Sequence, residues 1–203
     1  MEHEQWDTLS QAYAFLGNSL LAPMTQTETV GLDPRFWEQF PSFDSPSLCA
    51  AAGAMAKRAD SLSLRDNPVL AVSVEYTHLF IGPPRPAAAP WETFYRGGAR
   101  EGGAAVGFGE ATFAMRRQLR ELGLRLSNEN HQYEDHMGIE LLCLSTLCSR
   151  AAQGGTSESA IAAYIDERPG SWISAFLHSV AEERPKGYFA GLLSLVDALL
   201  SWH

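Results

Sequence analysis

Between Asn128 and Gly138 the chain reads NENHQYEDHMG and runs on into the helical pattern IELLCLSTLC. This stretch gathers Glu129, His131, Glu134, Asp135, His136 and Glu140, with no Lys or Arg between Arg125 and Arg150. Carboxylates so placed can accept charge-assisted hydrogen bonds from guanidinium or ammonium groups. Beside an apolar helical face they suit a ligand that is both basic and greasy. A second unusual stretch lies upstream: Tyr76-Thr-His-Leu79-Phe80-Ile-Gly-Pro-Pro, then Ala89-Pro90-Trp91-Glu92. Trp91 has no helical periodicity to explain it, so it either pins a loop to the core or floors a pocket. The two stretches point to specific binding rather than catalysis.

Other chemistries fit less well. A metal site in a helical bundle draws Glu-x-x-His from paired helices plus further carboxylates. Here the order is Glu134-Asp135-His136, no second such cluster exists, and His136 with Glu140 supplies only two ligands. No metal and no cofactor are expected. There is no Gly-x-Ser-x-Gly elbow, and the glycines at 102–103, 107 and 109 follow no strand, so neither a serine nucleophile nor a phosphate loop is supported. Cys49, Cys143 and Cys148 lie in Ala- and Leu-rich surroundings and are expected to be small buried side chains. Asp135 and His136 also admit a local reading as an ion pair or helix cap, and Tyr76, Leu79 and Phe80 at helical spacing also read as core.

The elements that must position these residues are helices. Trp6, Leu9, Tyr13, Leu16 and Leu20 form one stripe, ended by Pro23. Asp33-Pro34, Ser45-Pro46 and Asn67-Pro68 each set a capping residue before a proline and open a helix. The third of these carries Val69, Val72, Tyr76, Leu79 and Phe80 on one face and stops at Gly82-Pro83. Residues 82–109 are read as one long irregular, functional loop, since loops of this length in a compact domain seldom lack a role. A helix follows over 110–122, with Phe113, Leu119 and Leu122 inward, Arg116, Arg117 and Arg120 outward, and Gly123 as cap. The next is expected to begin near Tyr133. Further helices are expected at about 157–166, 171–182 and 188–202. Strand signals are almost absent, and the fold class is all-α: one helical-bundle domain over 1–203.

Composition narrows the partners. With 45% hydrophobic and 19% charged residues the chain reads as globular. Its net charge of −9 disfavours nucleic acid and anionic membrane surfaces and favours a cationic partner. No run of about 18 apolar residues occurs, so no membrane insertion is expected. The acidic start MEHEQWDTLSQAY is unlike a secretory signal, and a cytoplasmic location is expected.

The motifs carry a resemblance. Tyr76-x-x-Leu79-Phe80-x-Gly82-Pro83, Pro90-Trp91-Glu92, Gly109-Glu110 and Glu134-Asp135-His136-Met137-Gly138, in this order, resemble the TorD/DmsD family of redox-enzyme maturation chaperones. The tail, Pro169-Gly-Ser-Trp172-Ile-Ser-Ala-Phe176 and then Pro185-x-Gly-Tyr188, is similar to that family's closing segment. The chain differs by having Gln132-Tyr133 before Glu134-Asp135-His136, where the family usually places a proline inside the motif, and Ala87-Ala88-Ala89 in a loop that is Pro- and Ser-rich in DmsD-type members. The resemblance implies a non-enzymatic chaperone, monomer or dimer, DmsD-like, that binds the twin-arginine signal peptide of a DMSO/TMAO-reductase-type molybdenum oxidoreductase. It would hold that subunit back from export until its cofactor is inserted. Glu134, Asp135 and Glu129 or Glu140 would take the arginines, with His136 orienting them; Tyr76, Leu79, Phe80, Pro90 and Trp91 would accept the apolar segment. The chain's own start has no twin arginine, so it is read as escort rather than cargo. The alternatives are a small helical enzyme or nucleotide hydrolase using Asp135 and His136, and an assembly subunit of a nitrate-reductase-type complex.

Overall fold

Asp33, Ser45 and Asn67 each turn a side-chain oxygen back onto a free backbone N–H two or three residues on, and a helix opens after each, with proline at its first position. The computed structural model describes residues 1–97, 107–126 and 132–203. Its helices are α1 (His3–Leu21), α2 (Pro34–Glu38), α3 (Pro46–Ser63), α4 (Pro68–Tyr76), α5 (Glu92–Arg96), α6 (Glu110–Glu121), α7 (Met137–Ala152), α8 (Glu158–Glu167), α9 (Ile173–Glu183) and α10 (Tyr188–Trp202). Among the described residues there is no strand, and the chain is all-α. It divides into two compact units, Met1–Leu21 with Pro90–Trp172, and Ala22–Ala89 with Ile173–His203. Neither unit is a continuous stretch of chain, so neither can be excised as one; we propose that residues 1–203 fold as one cooperative domain.

In the first unit α1 packs on α7. Ser10 Oγ donates to the Ser145 carbonyl at 2.9 Å and Ser145 Oγ donates to the Ser10 carbonyl at 2.7 Å. Further along the same contact, a Cβ on Gly17 would stand 2.8 Å from the Gly138 carbonyl oxygen, and one on Gly138 would stand 2.7 Å from that of Gly17. Backbone cannot swing aside as a side chain can, so both positions demand glycine. Gly138→Ala is therefore expected to cost about 1–3 kcal/mol by forcing the helices apart, read as a lower urea midpoint with an unchanged slope; an unchanged midpoint would show that the two helices separate freely.

The second unit is built on aromatics. Tyr76 and Phe80 meet Phe189 at ring-centroid distances of 5.7 and 5.0 Å, and Phe80 meets Phe176 at 5.7 Å. Glu75 accepts the backbone N–H groups of Tyr188 at 3.2 Å and Phe189 at 2.9 Å, capping α10, whose own N-cap, Gly187, has no side chain to do so. Burial raises the Glu75 carboxyl above its usual value despite those two hydrogen bonds. Beyond Tyr76 the helix widens into a π-turn, Thr77–Ile81, which ends at Gly82 with φ of 88° and its N–H on the Thr77 carbonyl. Only glycine adopts that backbone without strain.

Three expectations are corrected. Residues 82–109 are not wholly irregular: they contain α5. The helix expected from Tyr133 starts at Met137, because His136 adopts extended backbone and caps it. Cys143 and Cys148 are buried but Cys49 is exposed, since the inward face of α3 carries Leu48, Ala52, Met55, Ala56 and Ala59 and leaves Cys49 outside.

Candidate functional site

Two of the sequence motifs meet as backbone. The Glu92 N–H donates to the Asp135 carbonyl and the Met137 N–H to the Pro90 carbonyl, both at 2.9 Å, an isolated antiparallel bridge between Trp91 and His136. The bridge lies within the first unit and fixes the start of α5 against the start of α7.

Asp135 then caps α5 from outside its own sequence. Its Oδ2 accepts from the Thr93 N–H at 2.9 Å and from Thr93 Oγ1, and its Oδ1 accepts from Thr112 Oγ1 at 2.9 Å. Trp91, the N-cap residue of α5, offers no side-chain cap. Asp135 is fully buried with both oxygens engaged. The demand for Thr112 also turns α6: Thr112 faces inward, while Phe113, expected inside, is about half exposed with Arg116 over its ring at 5.6 Å.

His136 caps α7 through Nδ1, which accepts the Gly138 N–H at 3.0 Å. The proton of the neutral ring is therefore on Nε2. Complete burial pushes the His136 pKa down to about 3, so the ring is neutral across the physiological range.

Glu140, one turn on, is also fully buried. Trp172 Nε1 donates to its Oε2 at 3.0 Å. Burial raises its carboxyl well above the usual value, and the Glu92 carboxyl beside it raises it further. Glu92 in turn binds Arg96 through Oε1 at 2.6 Å and Arg168 through Oε2 at 3.4 Å. Glu92 thus faces two guanidinium groups and Glu140 faces an indole N–H, which makes Glu140 the neutral member of the pair. Trp172 stacks on Tyr95 at 5.5 Å, and Arg96 also donates to the Glu167 carbonyl and to Ser171 Oγ.

The accessible side of this site is aromatic. Trp91 is half-buried and packs edge-on against Tyr133 at 6.2 Å and His136 at 6.0 Å, and Tyr133 meets Phe108 at 6.4 Å. Phe108 is 75% exposed and Tyr133 37%, an arrangement of large apolar rings that marks a contact surface rather than core. Glu134 lies beside them, held by Arg116 through two hydrogen bonds, one from Nε and one from Nη2. Burial alone would raise the Glu134 carboxyl, but the hydrogen bonds of Arg116, a backbone hydrogen bond and the charges of Arg116 and Arg120 together outweigh it and hold it below its usual value.

Of the residues expected to form one binding site, the structure joins Pro90, Trp91, Glu134, Asp135, His136 and Glu140 within the first unit. Tyr76, Leu79 and Phe80 belong to the second unit and are buried in its core. Glu129 and His131 lie outside the described residues. Residues that the sequence reading missed are Thr93 and Thr112, which hold Asp135, and Arg116 and Arg168, which neutralise Glu134 and Glu92. Among the described residues no group of three His, Cys, Asp or Glu side chains could hold a metal ion.

The motifs that build this network lie inside residues 44–178, which match the family model described as nitrate reductase delta subunit. The chain belongs to that family. It is similar to the chaperone protein TorD of Escherichia coli, from strains K12 / DH10B and K12 / MC4100 / BW2952, in each case 23% identical over 160 residues that cover 77% of this chain and 74% of TorD. The family match takes in the Asp135 cap, the His136 cap and the Glu92–Glu140 pair, and it also takes in Tyr76 to Gly82 of the second unit. All of α1, including the Gly17 that faces Gly138, precedes the matched stretch, and α10 follows it.

Proposed function

We propose that this protein is a cytoplasmic maturation chaperone for a molybdenum-containing oxidoreductase of the DMSO/TMAO-reductase type, binding the twin-arginine signal peptide of the catalytic subunit before export. The observation that carries this reading is family membership together with similarity to a protein whose name is chaperone TorD. Two features of the site support it: an exposed aromatic shelf of Trp91, Tyr133 and Phe108, and a half-buried Glu134 at its edge. The apolar segment of a leader would lie on the shelf. A leader arginine would take Glu134 in exchange for Arg116, one guanidinium replacing another at similar cost. Asp135, His136 and Glu140 act from beneath, as positioning residues that fix Trp91 and Glu134. Among the described residues no helix is long and apolar enough to cross a membrane.

Calorimetric titration with twin-arginine leader peptides of molybdoenzymes from the same genome tests this. One leader is expected to bind with clear preference, and Trp91→Ala is expected to weaken it by on the order of thirtyfold, the typical worth of an aromatic anchor. Normal leader binding by a destabilised Trp91→Ala protein would remove Trp91 from the site. Binding of no leader, with binding of a folded reductase subunit, would favour the family's assembly-subunit role.

A further inference from the structure

The chain carries an adjacent arginine pair of its own. Arg116-Arg117 lies on α6, a helix whose inward face holds Ala114, Met115 and Leu119. A twin-arginine leader joins the same two things, neighbouring guanidinium groups and an apolar helical segment. Arg116 already occupies the carboxylate at the edge of the aromatic shelf. Its Nε donates to Glu134 Oε1 at 2.5 Å and its Nη2 to Glu134 Oε2 at 3.1 Å, a two-toothed grip. Arg120, one turn on, adds its charge to Glu134 at longer range.

The packing of α6 does not depend on this pair. Thr112 Oγ1 donates to the buried Asp135, Tyr164 Oη donates to Met115 Sδ at 3.7 Å, and Leu119 is buried. The Arg116 side chain is 40% exposed against 15% for Glu134, so the guanidinium covers the carboxylate from the solvent side. Phe113 sets it there. Residues three apart share one face of a helix, and the Phe113 ring lies 5.6 Å from the Arg116 guanidinium while remaining about half exposed. A charge held over a carboxylate from the solvent side, on a helix anchored elsewhere, is a cover rather than a strut.

We propose that Arg116 is a built-in competitor for Glu134, which an incoming guanidinium must displace before the site binds its ligand. The identity of that ligand rests on the leader-binding reading above; the competition itself rests on Arg116 and Glu134. The apparent affinity of the site is lowered by the fraction of time Glu134 is covered. Stringency follows. A ligand with a lone basic group gains nothing over Arg116, whereas one whose apolar segment also reaches Trp91 and Tyr133 displaces it.

The test uses the full chain, the leader peptides named above, and a generic peptide with two adjacent arginines before an aliphatic helical stretch. Arg116→Gln keeps most of the side chain's length and removes its charge. It is expected to bind the arginine peptides at least about threefold tighter, the strength of an ordinary surface ion pair. Arg116→Lys, which keeps the charge and loses the fork, should fall between. The gain should shrink in about 1 M salt, because the variant forms an ion pair where the wild type only exchanges one. In a Glu134→Gln background, Arg116→Gln should change affinity little. Weaker binding by Arg116→Gln, as expected of a residue that merely positions Glu134, overturns the proposal. So does unchanged affinity, or an equal gain in the Glu134→Gln background. An Arg116→Gln chain that fails to fold would show the pair to be a strut and overturn it as well. The two kinds of peptide separate this from the chaperone reading. Tighter binding of the generic peptide by Arg116→Gln, with no leader bound by either protein, leaves the competition standing and removes the leader. A leader bound with clear preference, but no tighter by Arg116→Gln, leaves the leader standing and removes the competition.

Discussion

Asp135→Ala is expected to destabilise the protein by about 3 kcal/mol or more, and to do so before it affects any ligand. The substitution strips acceptors from the Thr93 N–H, the Thr93 hydroxyl and the Thr112 hydroxyl, all buried. Hydrogen bonds to charged groups are worth about 1.5–3 kcal/mol each and do not simply add, and a buried donor left alone costs further. It also removes the cap on α5, which has no other side-chain cap. Asp135→Asn should fall between: its carbonyl can keep Thr112, but its amide then faces the Thr93 N–H, donor to donor. Urea unfolding of both variants, with leader titration on the folded fraction, checks this. If Asp135 met a leader arginine directly, Asp135→Asn would lose affinity with no loss of stability. That outcome would move Asp135 from a positioning role to contact with the ligand.

The contrast shows where sequence stops informing. The stretch from Glu129 to Glu140 looked like an acidic patch because no base lies near it in sequence. Arg116 comes from α6 and Arg168 from the end of α8, and each neutralises a carboxylate of the motifs across a gap that sequence distance hides. Helix existence was legible because proline after a capping residue and three-to-four-residue stripes are local signals: Asp33, Ser45 and Asn67 all cap as expected. The start of α7 was missed because Tyr133 continues the apolar stripe by coincidence of spacing, while its ring lies against Trp91 and Phe108. The local alternative for His136, a helix cap, is what the structure contains.

The order of the motifs was legible; their union was not. Pro90-Trp91-Glu92 and Asp135-His136-Met137 form a backbone bridge that no periodicity announces. Nor does sequence separate two uses of apolar residues at helical spacing. Tyr76, Leu79 and Phe80 are core of the second unit, whereas Phe108 and Tyr133, with weaker periodicity, are exposed. Gly138 stood in the motif without a role until α1 was seen to approach it through Gly17.

The second large effect is on stability against pH, where His136 and Glu140 act with opposite signs. The folded His136 titrates at about 3, below the usual 6.5, so between those values only the unfolded chain is protonated there. Its contribution is fully present above about 6.5 and is lost as pH falls toward about 3. At about pH 4.5 the loss is on the order of 2.7 kcal/mol, two pH units at about 1.36 kcal/mol each. Glu140 has a folded value raised above the usual 4.5, so the folded protein holds a proton that the unfolded chain has released. Its stabilisation is present below about 4.5 and declines as pH rises from there. Wherever both windows overlap, above about 4.5 and below about 6.5, the two slopes cancel in part and the intact protein should show a flat profile. Glu140→Gln retains an oxygen for Trp172 Nε1 and an N–H for Glu92, as the protonated carboxyl does, but cannot ionise. Its stability should therefore rise steadily with pH through that range. His136→Asn keeps an oxygen acceptor for the Gly138 N–H and should fall with pH over the same range. Urea midpoints at half-unit pH steps distinguish the three profiles. Parallel profiles for all three proteins would mean that neither group is neutral in the folded state, and would remove the Glu92–Glu140 pair from the account of how this site is held.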